Sequence, residues 1–219
     1  MHTAKIQSLY DHLRGLRWLN SFVILTRFLV GFAFIPSGLK KLLGERFTQL
    51  GVEEPIGFFF EALYRTGMYW NFIGLAQLLA ALLLMTQRFA TLGAVFFFFI
   101  MTNIWMITLS LQFSGTWVIT SLMLLAVLLL LAWDYHKLQQ LFFPDNFSPA
   151  IQATNYPTYN RTWIVTGAIV FTWSVGGLLL LKHSPYDTRT GSRLWLGGII
   201  LIVLTGLYFN RKHKPSTLP

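Results

Sequence analysis

YWNFIGLAQLLAALLLMTQRFATLGAVFFFFIMTNIWMITLSLQFSGTWVITSLMLLAVLLLLAW, residues 69–133, decides the fold of this chain. Three apolar runs, 69–85, 89–111 and 117–133, are separated by two short breaks, Thr86-Gln87-Arg88 and Gln112 to Thr116. Each run approaches the about 20 apolar residues that an α-helix needs to cross a bilayer. Connections this short force neighbouring helices to run antiparallel and to pack side by side. Trp117 and Trp133 bracket the third run as interfacial anchors.

Working outward, a further run at 19–39 precedes this unit, and runs at 162–181 and 194–209 follow it. The last is short and relies on Trp195 and Tyr208 as anchors. Composition agrees with six spans. AVILMFWYC residues make up 54% of the 219 positions and charged residues only 11%. A soluble domain carries about a quarter charged residues, and 20 Phe with 8 Trp exceed what one soluble core of this size hides. The expected fold class is an all-α membrane protein: a four-helix transmembrane bundle plus two additional C-terminal transmembrane helices. The first span follows a polar leader, is interrupted by Arg27 and has no A-x-A site after it, so it reads as retained rather than as a cleavable signal peptide.

The expected organisation is a cytoplasmic N-terminal segment, 1–18, and a four-helix core, 19–133. A Pro-containing linker, 134–161, a helical hairpin, 162–209, and a basic tail, 210–219, follow. The prolines of the linker are Pro144, Pro149 and Pro157, and they mark it as the boundary between two packing units. The loop after the first span contains an amphipathic helix at about 55–66. Glu54-Pro55 starts it, Ile56, Phe59, Phe60 and Leu63 recur at helical spacing, and Glu61 and Arg65 form an i,i+4 pair. It reads as an interfacial or bundle-capping helix, or as a surface helix packed on loops.

Zero cysteines remove disulfides, thiolate nucleophiles and iron–sulfur ligation. The net charge of +9 comes from basic residues that flank apolar spans, where they meet lipid headgroups; no nucleic-acid partner is expected. With the N-terminus inside, Lys5, Arg14, Arg17, Arg88, Lys137, Arg161, Arg211, Lys212 and Lys214 face the cytoplasm. Lys40, Lys41, Arg46, Arg65, Lys182, Arg189 and Arg193 then face outward. The weak bias favours both termini in the cytoplasm.

Ionisable residues at membrane depth are functional candidates by default. Only Arg27 stands well inside a span, and no Asp, Glu or His does. That argues against a carboxylate-based pump and against a transmembrane bis-His haem. At about 100° per residue, Arg27, Gly31 and Gly38 share a stripe with Lys41 beside it, and Pro36 falls opposite, where it is expected to kink the helix. Two readings of the stripe remain open: packing glycines with a snorkelling Arg27, or a ligand site. Gln77 and Asn103 are the deepest neutral polar residues of their spans. They either glue helices together or converge with Arg27 on a polar ligand head, with Trp105 and Phe96–Phe99 as an aromatic wall. Lacking an acidic partner at depth, Arg27 is expected to pair with such neutral dipoles, with lipid phosphate or with a ligand oxygen. Asp134 and His136 read as a solvated helix end, and no metal site is expected. Gly167 with Ser174 and Gly198 with Thr205 look like packing faces.

The segment RFLVGFAFIPSGLKKLLG resembles the opening of the DoxX family through Arg27, Gly31, Gly38, Lys41 and Leu42. GLAQLLAALLLMTQRFATLGA, from Gly74, resembles the family's second and third helices and the hairpin between them. The family commonly places a Glu where Gln77 stands. The resemblance covers about residues 20–140 and leaves the last two spans outside. It implies a small four-helix protein of the bacterial inner membrane, similar to DoxD and MauE proteins. Some relatives are membrane subunits of quinone-linked oxidoreductases, thiosulfate:quinone oxidoreductase among them. The leading expectation is therefore a membrane subunit of such an assembly. Quinone is then the cofactor class, Arg27, Gln77, Asn103, Trp105 and Lys41 are the candidate quinone-binding residues, and electrons come from a partner subunit. The competing readings are a non-enzymatic scaffold or assembly protein, homo-oligomeric through its small-residue faces, and a small-molecule permease. Scarce polar residues and no visible inverted repeat count against the permease.

Overall fold

The computed structural model describes residues 10, 12–142, 161–183 and 188–212. The elements are α1 (Arg17–Leu42), α2 (Pro55–Arg65), α3 (Met68–Met85), α4 (Ala90–Ser110), α5 (Thr116–Trp133), α6 (Tyr135–Phe142), α7 (Arg161–His183) and α8 (Thr188–Lys212). Six of them, α1, α3, α4, α5, α7 and α8, are long and apolar enough to cross a membrane. The chain is an all-α, multi-pass membrane protein. The last span begins at Thr188, six residues before the expected 194, because its polar first turns continue the helix beyond the apolar run.

The tight connections form as their lengths require. The α3–α4 turn places Gln87 at φ 61°, a left-handed conformation that a non-glycine residue adopts at a cost of about 1–2 kcal/mol. Its own side chain offsets this: Nε2 donates to the carbonyls of Leu84 and Met85 at 3.3 and 3.1 Å. The α4–α5 turn uses Gln112 and Gly115 in the same region.

α1 is the hub of the bundle, packed on α3, α5 and α7. The stripe read from the sequence is its contact with α3. A Cβ added to Gly38 would stand 3.1 Å from the Gly74 carbonyl oxygen, and one added to Gly74 only 2.6 Å from that of Gly38. The two backbones touch because neither residue carries a side chain, the usual device for helix packing in lipid. Around this seam, Ile35, Leu84, Met85, Phe97, Met101, Val127 and Leu130 are fully buried, so the interior is filled by side chains. Phe96 and Phe99 point outward, while Phe97 packs on Phe34 at 4.8 Å. The run expected as an aromatic wall is thus split between lipid and core.

The C-terminal hairpin does not form a separate packing unit. Trp163 and Val170 of α7 belong to the same buried cluster as α1, α3, α4 and α5. The reason is Gly167, whose Cα lies so close to the Met85 carbonyl that a Cβ would collide with it. Trp163 then reaches Phe28, with ring centroids 5.9 Å apart. Of the expected linker, α6 covers 135–142, whereas Pro144, Pro149 and Pro157 lie outside the described residues. So do residues 1–9 of the N-terminal segment and 213–219 of the tail.

α2 caps one end of the bundle, one of the readings that its amphipathic pattern allows. Tyr64 meets Trp70 edge to face at 6.1 Å, and Phe60 meets Phe47 at 5.0 Å. On its polar side Glu61 accepts from Arg65 at 2.9 Å and from Arg46 at 2.9 Å. These two partners, Arg46 first, hold the Glu61 carboxyl down to about 2.

Candidate functional site

Two polar centres lie on α1, fourteen residues and so about 21 Å apart. The first surrounds Arg27. α1 has 26 residues against 18 each in α3 and α5. Arg27, ten residues into α1, stands level with the α3–α4 turn and the end of α5. There its guanidinium forks: Nη1 donates to Gln87 Oε1 at 2.8 Å and Nη2 to Asp134 Oδ2 at 2.8 Å. Thr91 donates to the same carboxylate oxygen at 3.0 Å, and Lys137 lies 3.7 Å from the other. Arg27 and Asp134 are each 2% exposed.

Of the expected partners of Arg27, a neutral dipole is present, but it is Gln87 and not Gln77 or Asn103, and an acidic partner joins it. The counter-ion is Asp134, the residue read as part of a solvated helix end. α5 ends at Trp133, level with Arg27, so the carboxylate folds inward. Residues of the leader and of α6 cover the pair. The Tyr10 hydroxyl donates to the Trp133 carbonyl, and Arg14 stacks over the Trp133 ring at 5.7 Å. The Tyr10 and His136 rings meet edge to face at 4.6 Å. Two buried opposite charges with a shared hydrogen-bond network form a clamp between α1, the α3–α4 turn and α5.

The second centre surrounds Lys41, 5% exposed near the far end of α1. Its ammonium donates to the Ser37 hydroxyl at 2.5 Å and to the Ser37 carbonyl at 3.3 Å. Ser37 in turn donates to Gln77 Oε1 at 3.3 Å. Two rings complete the surroundings, Phe47 at 4.4 Å and Trp70 at 5.2 Å from Nζ. Trp70 is fixed by its indole N–H on the Glu45 carbonyl, 3.0 Å away. No carboxylate among the described residues pairs with Lys41, in contrast to Arg27. An ammonium has three donors, and two are spent on Ser37.

Of the five candidate residues, the structure brings together Lys41 and Gln77, through Ser37. Arg27 belongs to the other centre. Asn103 is exposed on α4 and turns its amide back to the Phe99 carbonyl at 2.8 Å. Trp105 donates to Ser121 at 2.8 Å, and beside it Thr108 and Thr120 share a 2.9 Å hydrogen bond, so these residues tie α4 to α5. Among the described residues no group of three or more His, Cys, Asp or Glu is arranged to hold a metal ion.

The geometry of both centres rests on the pairing of α1 with the α3–α4 hairpin, and this stretch, residues 22–110, matches the DoxX family model. It is a DoxX domain. The DoxX segment contains Arg27, Gln87 and Thr91 of the first centre and the whole of the second, but ends before Asp134. The counter-ion of the DoxX arginine is thus supplied from beyond the matched residues. No curated protein and no solved structure matches the chain.

Proposed function

We propose that this DoxX-domain protein is a membrane subunit of a quinone-linked redox assembly, and that Lys41, Ser37 and Gln77 hold the quinone head. The observation that carries this reading is a buried ammonium with no carboxylate partner, set between an amide and two aromatic rings. A quinone carbonyl is a neutral acceptor that takes the third Lys41 donor without adding charge. Gln77 accepts through its Oε1 and keeps its NH2 group for a second contact. Phe47, on the loop after α1 and 39% exposed, is the outer wall through which a ring enters, and Trp70 is the inner one. Quinone supplies the electron-accepting chemistry. The chain's own residues bind and orient it, and a partner subunit delivers the electrons, since the sequence has no cysteine for a cluster or thiol couple. The setting we infer is a bacterial cytoplasmic membrane with both termini on the cytoplasmic side.

Solvent extraction of the purified protein tests this. Near one quinone per chain is expected, with strong loss in Lys41→Met and retention in Asn103→Ala. A quinone-free wild type, or a fully loaded Lys41→Met, overturns it. The scaffold reading has two observations in its favour: the interior of the bundle is filled by side chains, and the Arg27 clamp ties its helices together.

A further inference from the structure

The outer face of the C-terminal hairpin carries two clefts placed end to end. One, of about 640 Å3, lies between Arg161, Val165 and Ile169 of α7 and Leu201, Thr205 and Phe209 of α8. The other, of about 840 Å3, continues from Ile169 to Leu181 and is closed on α8 by Leu194 and Trp195. Ile169 borders both. Eight residues separate Arg161 from Ile169, about 12 Å of helix. Half of a hydrocarbon core is about 15 Å, so the first cleft has the depth of one leaflet.

We propose that this first cleft is a retained site for an anionic phospholipid of the bilayer, with an acyl chain along Val165, Ile169 and Leu201 and the phosphate at Arg161. Charge complementarity selects the occupant. Arg161 forms part of the wall and makes no ion pair among the described residues. The hydroxyls deeper in the wall are spent on their own helices: Thr166 donates to the Thr162 carbonyl and Thr205 to that of Leu201, both at 2.8 Å. The cleft therefore offers an apolar channel with a guanidinium at its mouth. The planar fork of arginine suits phosphate oxygens, and cations at this depth attract anionic headgroups.

The test is native mass spectrometry of the full chain reconstituted with equal amounts of phosphatidylglycerol and phosphatidylcholine. The wild type is expected to retain phosphatidylglycerol over phosphatidylcholine by about fivefold, the effect of one cation near the surface. Arg161→Gln is expected to lose that preference, and Thr205→Phe, which fills the cleft, to lose the bound lipid. Gly176→Leu is the control for added bulk. A Cβ at Gly176 meets nothing within 4 Å and projects into the second cleft, so retention at the first should persist. An undiminished preference in Arg161→Gln, or wild-type lipid retention in Thr205→Phe, overturns the proposal. So does a lipid-free dimer formed through this face.

Discussion

Arg27 and Asp134, 107 residues apart in sequence, meet at 2.8 Å with both side chains 2% exposed. Neither charge has solvent to return to if its partner is removed. Breaking a buried pair from one side costs about 3–5 kcal/mol, whereas replacing both partners by apolar groups of similar volume is often neutral. Arg27→Leu and Asp134→Leu are each expected to lower the thermal unfolding midpoint in detergent strongly. The double variant should lie well above the sum of the two losses. Arg27→Lys should recover only part of the stability, because an ammonium lacks the planar fork that reaches Gln87 and Asp134 together. Additive losses across this cycle would mean that the two residues do not act as a pair.

The contact between α7 and the core is as sensitive to one methyl group. A Cβ at Gly167 collides with the Met85 carbonyl, and backbone cannot step aside as a side chain end does. Overpacking costs about 1–3 kcal/mol. Gly167→Ala should therefore lower stability and raise protease cleavage between α6 and α7, while Gly176→Ala, in open space, should do neither. By the same logic a chain ended after Asn155 leaves Phe28 and Met85 uncovered by Trp163 and Gly167. It should be less stable than the full chain, whereas an equally stable fragment would show that the hairpin contributes nothing to the core.

The spans were legible because apolar run length and turn length are local properties. The stripe Arg27, Gly31, Gly38, Lys41 was legible because helical periodicity converts spacing into a face, and that face is the one that meets α3. What the sequence hid was level along the bilayer normal. Counting from the start of its apolar run puts Arg27 at depth, but the register of α1 against shorter neighbours sets it beside Asp134. Asp134 itself looked solvated, because its burial depends on a helix more than a hundred residues earlier. Gln77 and Lys41 stand out separately in the sequence; Ser37, which joins them, does not, since a serine in an apolar helix usually hydrogen-bonds its own backbone. Gly167 with Ser174 signals packing on α7 but not the partner, which for Gly167 is the Met85 carbonyl.

A pH dependence is expected at the bundle cap. Arg46 and Arg65 hold Glu61 at about 2, below the ordinary value of 4.5. A depressed carboxylate contributes its stability in full above the unfolded value and loses it as pH falls through the folded one. Stability of the wild type relative to Glu61→Gln should therefore be constant from neutral pH down to about 4.5 and shrink from there towards 2. Unfolding midpoints of both proteins across that range measure it. A difference that already vanishes between pH 7 and 5 would assign the effect to another group.

The topology can be read from one internal comparison. Arg27 contacts Gln87 and Asp134, so the α3–α4 turn, the end of α5 and the first turns of α1 occupy one end of the bundle. Lys182 pairs with Glu45, which places the end of α7 with the α1–α2 loop at the other. By the sequence count above, nine basic residues go with the side of the first end and seven with that of the second, and cytoplasmic sides are richer in Lys and Arg. Reporters inserted at Arg88 and after Lys212 should then report the cytoplasm, and reporters at Thr48 and Gln112 the outside. Agreement of Thr48 with Arg88 would remove the span α3, which alone separates them. A full inversion of all four sites would keep every helix and reverse the orientation, placing the Lys41 centre on the cytoplasmic side.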